Sequence, residues 1–161
     1  MGQRIDFYDD PEAPAVNSVR PAAAALVIRN QAILLIQRSD NNNWCMPGGA
    51  HEPGESLTAT AVRETLEETG IAIRPSSIVG IFTDPRHVTL YTSDGEVRQE
   101  FSVVFRADYL DGEPTCSTES NRVAWVPLEQ ITHLTMDRSQ RHRISWGLAH
   151  PERTWIDPTG D

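Results

Sequence analysis

The chain has 161 residues, enough for one domain with a sizeable core, and a formal net charge of −9 at pH 7. A surface that acidic repels nucleic-acid backbones and disfavours binding to a duplex, yet clustered carboxylates can hold cations that in turn hold phosphates. No window approaches the ~18 uninterrupted apolar residues of a membrane span, and no membrane partner is expected. The N-terminus lacks the basic start and apolar middle of a secretory signal. Cys45 and Cys116 make neither a metal spacing nor a disulfide framework, so two reduced thiols in a cytoplasmic protein are expected.

Residues 1–19 show no sustained period and read as an N-terminal arm whose packing the sequence leaves open. Residues 20–150 read as the domain, and 151–161 as a C-terminal tail. Two apolar, partly β-branched runs, 22–28 and 32–37, are separated by Arg29, Asn30 and Gln31, which predicts a β-hairpin. A polar loop follows at 39–43, and Met46-Pro47-Gly48-Gly49 and Pro53-Gly54 break the chain twice. From Ser56 to Thr69 there is no Gly or Pro, and Gly70 stands where a helix would stop, so a helix is predicted there. Further strands are expected at 78–82, 88–91, 101–107 and 123–126, and a last helix at 137–147. Strands on both sides of one strong helix predict an α/β fold, a mixed sheet with helices packed on it.

On the first helix, Glu64, Glu67 and Glu68 fall at i, i+3 and i+4, within an arc of about 100°. Ala59, Val62 and Leu66 fall roughly opposite, and are expected to dock on the sheet. Like charges at i,i+4 cost roughly 0.2–0.5 kcal/mol, and the helix dipole disfavours negative charge in the last turns. A bare Glu-x-x-Glu-Glu is usually a solvated face. Here Gly48-Gly49, Glu52, Gly54 and Glu55 lie just upstream, and Arg63 can pair with Glu55 through its planar fork. An oxygen-rich set of this kind suits Mg²⁺ or Mn²⁺.

The segment from Gly49 to Ile71 resembles the Nudix box: Gly, five residues, Glu55, seven residues, Arg63-Glu64, then Glu67-Glu68, Gly70 and an aliphatic residue. All seven Gly, Glu and Arg positions match. The departure is Thr65, where the pattern has an aliphatic side chain. Arg38, Trp44 and Trp125-Val126-Pro127-Leu128 are similar to family features outside the box.

The resemblance implies a Nudix-type α/β/α sandwich with helices on both faces of a mixed β-sheet. It implies hydrolysis of a diphosphate bond in a small nucleotide-like, phosphorylated substrate, with Mg²⁺ as cofactor and Mn²⁺ as an alternative. Glu64, Glu67, Glu68 and the Gly48 carbonyl match metal ligands, and Glu55 and Arg63 match the pair that braces loop to helix. Family members often recruit a later glutamate as ligand or general base; Glu119 is the first candidate and Glu100 the second. Arg38 is a candidate for a substrate phosphate and Trp44 for a base. Pro85 sits near a proline that marks ADP-ribose hydrolases. Nucleoside triphosphates are the rival substrates, a catalytically weak nucleotide sensor or binding module is the rival function, and a homodimer stays open.

Overall fold

The computed structural model describes residues 2–159. In chain order it contains β1 (Arg4–Tyr8), β2 (Ser18–Val19), β3 (Ala22–Arg29), β4 (Ala32–Arg38), β5 (Trp44–Cys45) and β6 (Gly48–Ala50). There follow α1 (Leu57–Thr69), β7 (Ala72–Phe82), β8 (His87–Tyr91), β9 (Glu96–Gln99), β10 (Ser102–Asp111), β11 (Ser120–Pro127), a 3₁₀ turn (Leu128–His133), α2 (Arg138–Ala149) and β12 (Trp155–Ile156).

The main sheet runs β11-β4-β3-β10-β7-β12, with β5 beside β4 and β6 beside β3. It is mixed: β3 and β10 are parallel, β10 and β7 antiparallel. The loop between β3 and β4 is two residues, one shorter than predicted. Asn30 and Gln31 both have positive φ, 50° and 61°, as a tight primed turn requires.

Alternation along the strands divides the core in two. Ala23, Val103 and Phe105 face α1 and pack with Ala61. Leu26, Leu35 and Val104 face the other way and pack with Ile144 of α2. Helices therefore cover both faces, as the α/β/α expectation requires.

One feature of the sheet creates the site. The β3–β4 ladder holds for only two pairs, Ile28↔Ile33 and Arg29↔Ala32. Beyond them β3 turns to β6 and β10, while β4 turns to β5 and β11. The splay leaves a cleft floored by Ala22–Ala24 and flanked by Trp44–Met46 and Gly48–Ala50. Alanines suit that floor, because a Cβ on Gly48 would already lie 2.5 Å from the Ala23 carbonyl oxygen.

A smaller sheet, β1-β8-β9-β2, stands beside the cleft. The segment read as an N-terminal arm supplies β1, which pairs antiparallel with β8 from Arg4↔Tyr91 to Tyr8↔His87. The segment read as a tail supplies β12, parallel to β7. Among the described residues, no helix is long and apolar enough to cross a membrane.

Candidate active site

Helix α1 begins where Ser56 Oγ accepts a hydrogen bond from the Ala59 N–H at 3.1 Å, and ends at Gly70, whose φ of 72° is left-handed. Its buried face is only partly the one expected: of Ala59, Val62 and Leu66, Val62 alone packs on the core. Thr60, Ala61, Thr65 and Thr69 are buried, while Ala59 is exposed and Leu66 is 50% exposed. Small side chains let the helix settle onto β3 and the glycines of β6; Leu66 would hold it away. At about 100° per residue, Glu64 and Glu68 lie within about 60° of Ala61. They therefore flank the buried stripe, and only Glu67 reaches the rim, its side chain 60% exposed.

Arg63 organises the cluster. Its Nε donates to Glu55 Oε1 at 2.5 Å and its Nη2 to Glu55 Oε2 at 3.1 Å, a bidentate pair that ties the loop to the helix. Thr60 Oγ1 donates to the same Glu55 carboxylate at 2.8 Å. Arg63 Nη1 reaches Glu64 at 2.8 Å and Glu67 at 3.2 Å, and Nη2 donates to the Ala50 carbonyl at 3.2 Å. Glu68 instead accepts from the Gly48 N–H at 2.8 Å. Gly49 lies against Glu64; a Cβ there would come within 2.6 Å of both carboxylate oxygens.

The charges divide accordingly. The Arg63 guanidinium holds the Glu55 carboxyl down at about 2. Burial pushes Glu68 up to about 8 against the help of the Gly48 N–H, and the charges of Glu64 and Glu119 add to the rise. Burial also raises Glu64, with Arg63 opposing it and Glu67 and Glu119 reinforcing it. Glu119 sits on the turn before β11, and its backbone carbonyl accepts from Ser39 N–H at 3.0 Å.

These groups fit a divalent cation by the chemistry of the donor set. Hard carboxylate oxygens crowd a glycine-lined strand, and their mutual repulsion is the cost a cation removes. As they stand, the box glutamates turn to Arg63 and to Gly48. Among the described residues, no three acidic, imidazole or thiol groups converge on one point.

Gly48 and Gly49 also begin the cavity in the cleft. Arg38 lines it, held by Asp40 through Nε at 2.9 Å and Nη2 at 2.7 Å. Trp44 lines it too, but is only 7% exposed and belongs to the α2-side core, with Arg122 5.4 Å from its ring. Glu100 lines the far wall, and its partners are His87 at 3.3 Å and Arg143 at 3.0 Å. Pro85 lies in an exposed turn between β7 and β8.

Several cavity residues lay beyond sequence reasoning. Asp6 Oδ1 receives Thr89 Oγ1 at 2.8 Å and lies 2.9 Å from His87 Nε2, while Arg4 grips the same carboxylate at 2.8 and 2.9 Å. Tyr8 donates to Asp137, the N-cap of α2. The available signal was the alternation of Arg4, Asp6 and Tyr8 with Ile5 and Phe7, a strand with one polar face.

With this geometry in view, comparison with known proteins identifies the family. The NUDIX domain profile matches residues 19–147. An uncharacterised Nudix hydrolase of Bacillus subtilis, YvcI, is 30% identical over 128 residues, covering 76% of this chain and 78% of that protein. An ADP-ribose pyrophosphatase of Methanocaldococcus jannaschii is 28% identical, covering 76% and 71%. Among solved structures, a MutT protein of Methanosarcina mazei superposes with a TM-score of 0.66 at 26% identity, covering 89% of this chain and all of that one. The chain belongs to the Nudix hydrolase family, whose members use a divalent metal.

Proposed function

We propose that this protein hydrolyses a diphosphate bond in a small nucleoside-diphosphate-linked substrate, with Mg²⁺ as the divalent cation and Mn²⁺ able to replace it. The observation that carries the reading is the placing of Glu64 and Glu67 on one arginine and of Glu68 on the Gly48 N–H, all against a Gly48-Gly49 strand that opens into a cavity. Those glutamates, with Glu119 and the Gly48 carbonyl, would hold the cation. Bound there, it would neutralise phosphoryl charge and lower the pKa of a water.

The chain's own groups do the rest. Arg63 and Glu55 fix the loop so that Gly48 and Gly49 lie against the carboxylates. Glu119 accepts the proton as water attacks phosphorus in line. Arg38 takes a phosphate oxygen of the substrate when Asp40 shares its fork, and Trp44 closes the cavity beside it. The products are a nucleoside monophosphate and the phosphorylated remainder. Relatives named ADP-ribose pyrophosphatase and putative 8-oxo-dGTP diphosphatase support a nucleotide substrate. Two free cysteines, Cys45 and Cys116, suit a reducing compartment such as the cytoplasm.

The test is a panel of nucleotide sugars, ADP-ribose and nucleoside triphosphates, with Mg²⁺ and then Mn²⁺, resolved by chromatography. Metal-dependent release of a nucleoside monophosphate from at least one class is expected. A panel that stays intact with both metals, while nucleotides still bind, would replace the hydrolase by a sensor.

A further inference from the structure

We propose that the small sheet carries a second anion subsite, built from Arg4, Arg20 and Arg98, that selects substrates with a further phosphate or carboxylate beyond the scissile diphosphate. This rests on the hydrolytic reading above, and names the class of substrate that reading leaves open.

The distribution of charge is the first observation. The 14 basic residues are all arginine, in a chain of net charge −9. Five of them, Arg4, Arg20, Arg38, Arg98 and Arg143, line the cavity that opens beside Gly48 and Gly49. Asp6, Glu100 and Asp137 line it as well, but the partners of Arg38 and Arg98, Asp40 and Glu96, do not. Basic charge is thus concentrated where an acidic protein needs it to admit an anion.

The second observation is the state of those guanidiniums. Arg98 lies 4.4 Å from the Tyr91 ring and donates to Glu96 through Nη2 at 2.6 Å, which leaves Nη1 without a hydrogen-bond partner among the described residues. Arg4 is held by Asp6 through Nε and Nη2 only, so Nη1 has no partner among the described residues. Arg20 is exposed and forms no ion pair among them. A guanidinium fork with spare donors, held in one plane, matches a phosphate or carboxylate.

The third observation is position. The diphosphate must sit at the box glutamates, beside β6. Arg4 and Arg98 come from the small sheet, β1 and β9, while Arg20 stands between β2 and β3, two residues before Ala22, which pairs with Ala50 of β6. Arg4 also precedes residues 19–147, the stretch shared with the family. The N-terminal strand, which lies outside the stretch the family profile matches, therefore adds a basic wall to the cavity.

The experiment uses the full chain and two matched pairs. Glucose 1-phosphate and glucose 1,6-bisphosphate are titrated by calorimetry, with no turnover needed. UDP-glucose and UDP-glucuronate are compared as substrates with Mg²⁺. The bisphosphate is expected to bind at least about tenfold more tightly than the monophosphate, the scale of one charge-assisted contact. Arg20→Gln and Arg98→Gln, each checked for an unchanged melting curve, should remove most of that preference. A KM advantage for UDP-glucuronate extends the subsite to carboxylates; its absence, with the bisphosphate preference kept, assigns the subsite to phosphate. Equal binding of the two glucose phosphates to wild type, or a preference unchanged in both variants, overturns the proposal. Because calorimetry requires no hydrolysis, a panel without turnover sinks the hydrolase and leaves this result readable.

Discussion

Two clusters of carboxylates, one lining the cleft and one on α1 behind the Gly48-Gly49 strand, are built on opposite principles. In the small sheet, Asp6 and Glu100 are answered by Arg4, His87, Thr89 and Arg143, so every acidic group has its cation or donor. On α1, Glu64 and Glu67 share a single Nη1 of Arg63, Glu68 has only a backbone N–H among the described residues, and the charge of Glu119 bears on both Glu64 and Glu68. The first cluster is complete and holds the fold. The second lacks positive charge, and that imbalance is the ground for the cation site proposed there.

The sharpest way to break this contrast is to remove the excess charge. Glu67→Gln with Glu68→Gln should abolish the rise in melting temperature that Mn²⁺ gives to the wild type by mass action. It should also lower kcat by roughly 10³-fold or more, the scale of a lost electrostatic clamp. Equal Mn²⁺ binding by wild type and the double variant would mean that the helix is only a solvated acidic face. Next in size is Arg63→Lys, which keeps the charge and loses the fork. Turnover should fall by about 10²-fold, the cost of a misplaced constellation, with a much smaller change in stability. Full activity would show that the brace to Glu55 is dispensable.

The later glutamates test the comparison directly, because one belongs to each cluster. Glu119→Gln should lower kcat at least about tenfold, at saturating Mg²⁺ and substrate, since Gln cannot take a proton. Glu100→Gln should keep kcat within a few-fold, but lose stability on the order of 1–3 kcal/mol as Arg143 and His87 lose a charged partner. If the two variants exchange these phenotypes, the roles of the clusters are reversed. A smaller effect concerns acid. Burial works against the Asp6 carboxylate, but hydrogen bonds from His87, Arg4 and Thr89 outweigh it and hold its pKa below the usual range. A depressed carboxyl stabilises the fold above its unfolded pKa of about 4, and that contribution is lost as pH falls through the folded value. Protection of the β1 and β8 amides, taken relative to the intrinsic exchange rate at each pH, should therefore fall below about pH 4, and Asp6→Asn should flatten that response. An identical acid profile in the variant would show that Asp6 does not hold the small sheet.

The same two clusters show how far sequence reasoning reaches. The helix, its stop at Gly70 and the spacing of Glu55, Arg63, Glu64, Glu67 and Glu68 are local, and all lie within one stretch of the chain. The Asp6–His87–Glu100–Arg143 chain joins four distant segments, and only strand pairing and the packing of α2 bring them together. Hydrophobic pattern misled at α1 itself. Apolarity favoured Ala59, Val62 and Leu66 as the inner face; Val62 does pack on the core, but the fold needed small side chains against the alanines of β3 and the glycines of β6, and buried three threonines fully where Ala59 and Leu66 stay exposed.

One of those threonines gives the smallest effect and tests whether the helix is tuned for its site or for stability. Thr65 stands where the family pattern has an aliphatic residue, and it is fully buried. Its Oγ1 has no hydrogen-bond partner among the described residues, whereas the neighbouring Thr69 Oγ1 donates to the Thr65 carbonyl at 2.5 Å. A buried hydroxyl left unpaired costs roughly 1–3 kcal/mol. Valine has nearly the same shape and a similar helix propensity, so Thr65→Val exchanges that hydroxyl for a methyl without opening a cavity. The variant should gain about 1 kcal/mol, which for a chain of this size raises Tm by roughly 2–4 °C. Because Thr65 touches neither Arg63 nor the β6 glycines through its hydroxyl, kcat should not change. A lower Tm would show that the hydroxyl is satisfied, most simply by the carbonyl one turn back, and that threonine is preferred here for its bond. A higher Tm with lower kcat would show instead that stability is given up at this position to set the angle of the glutamates beside it.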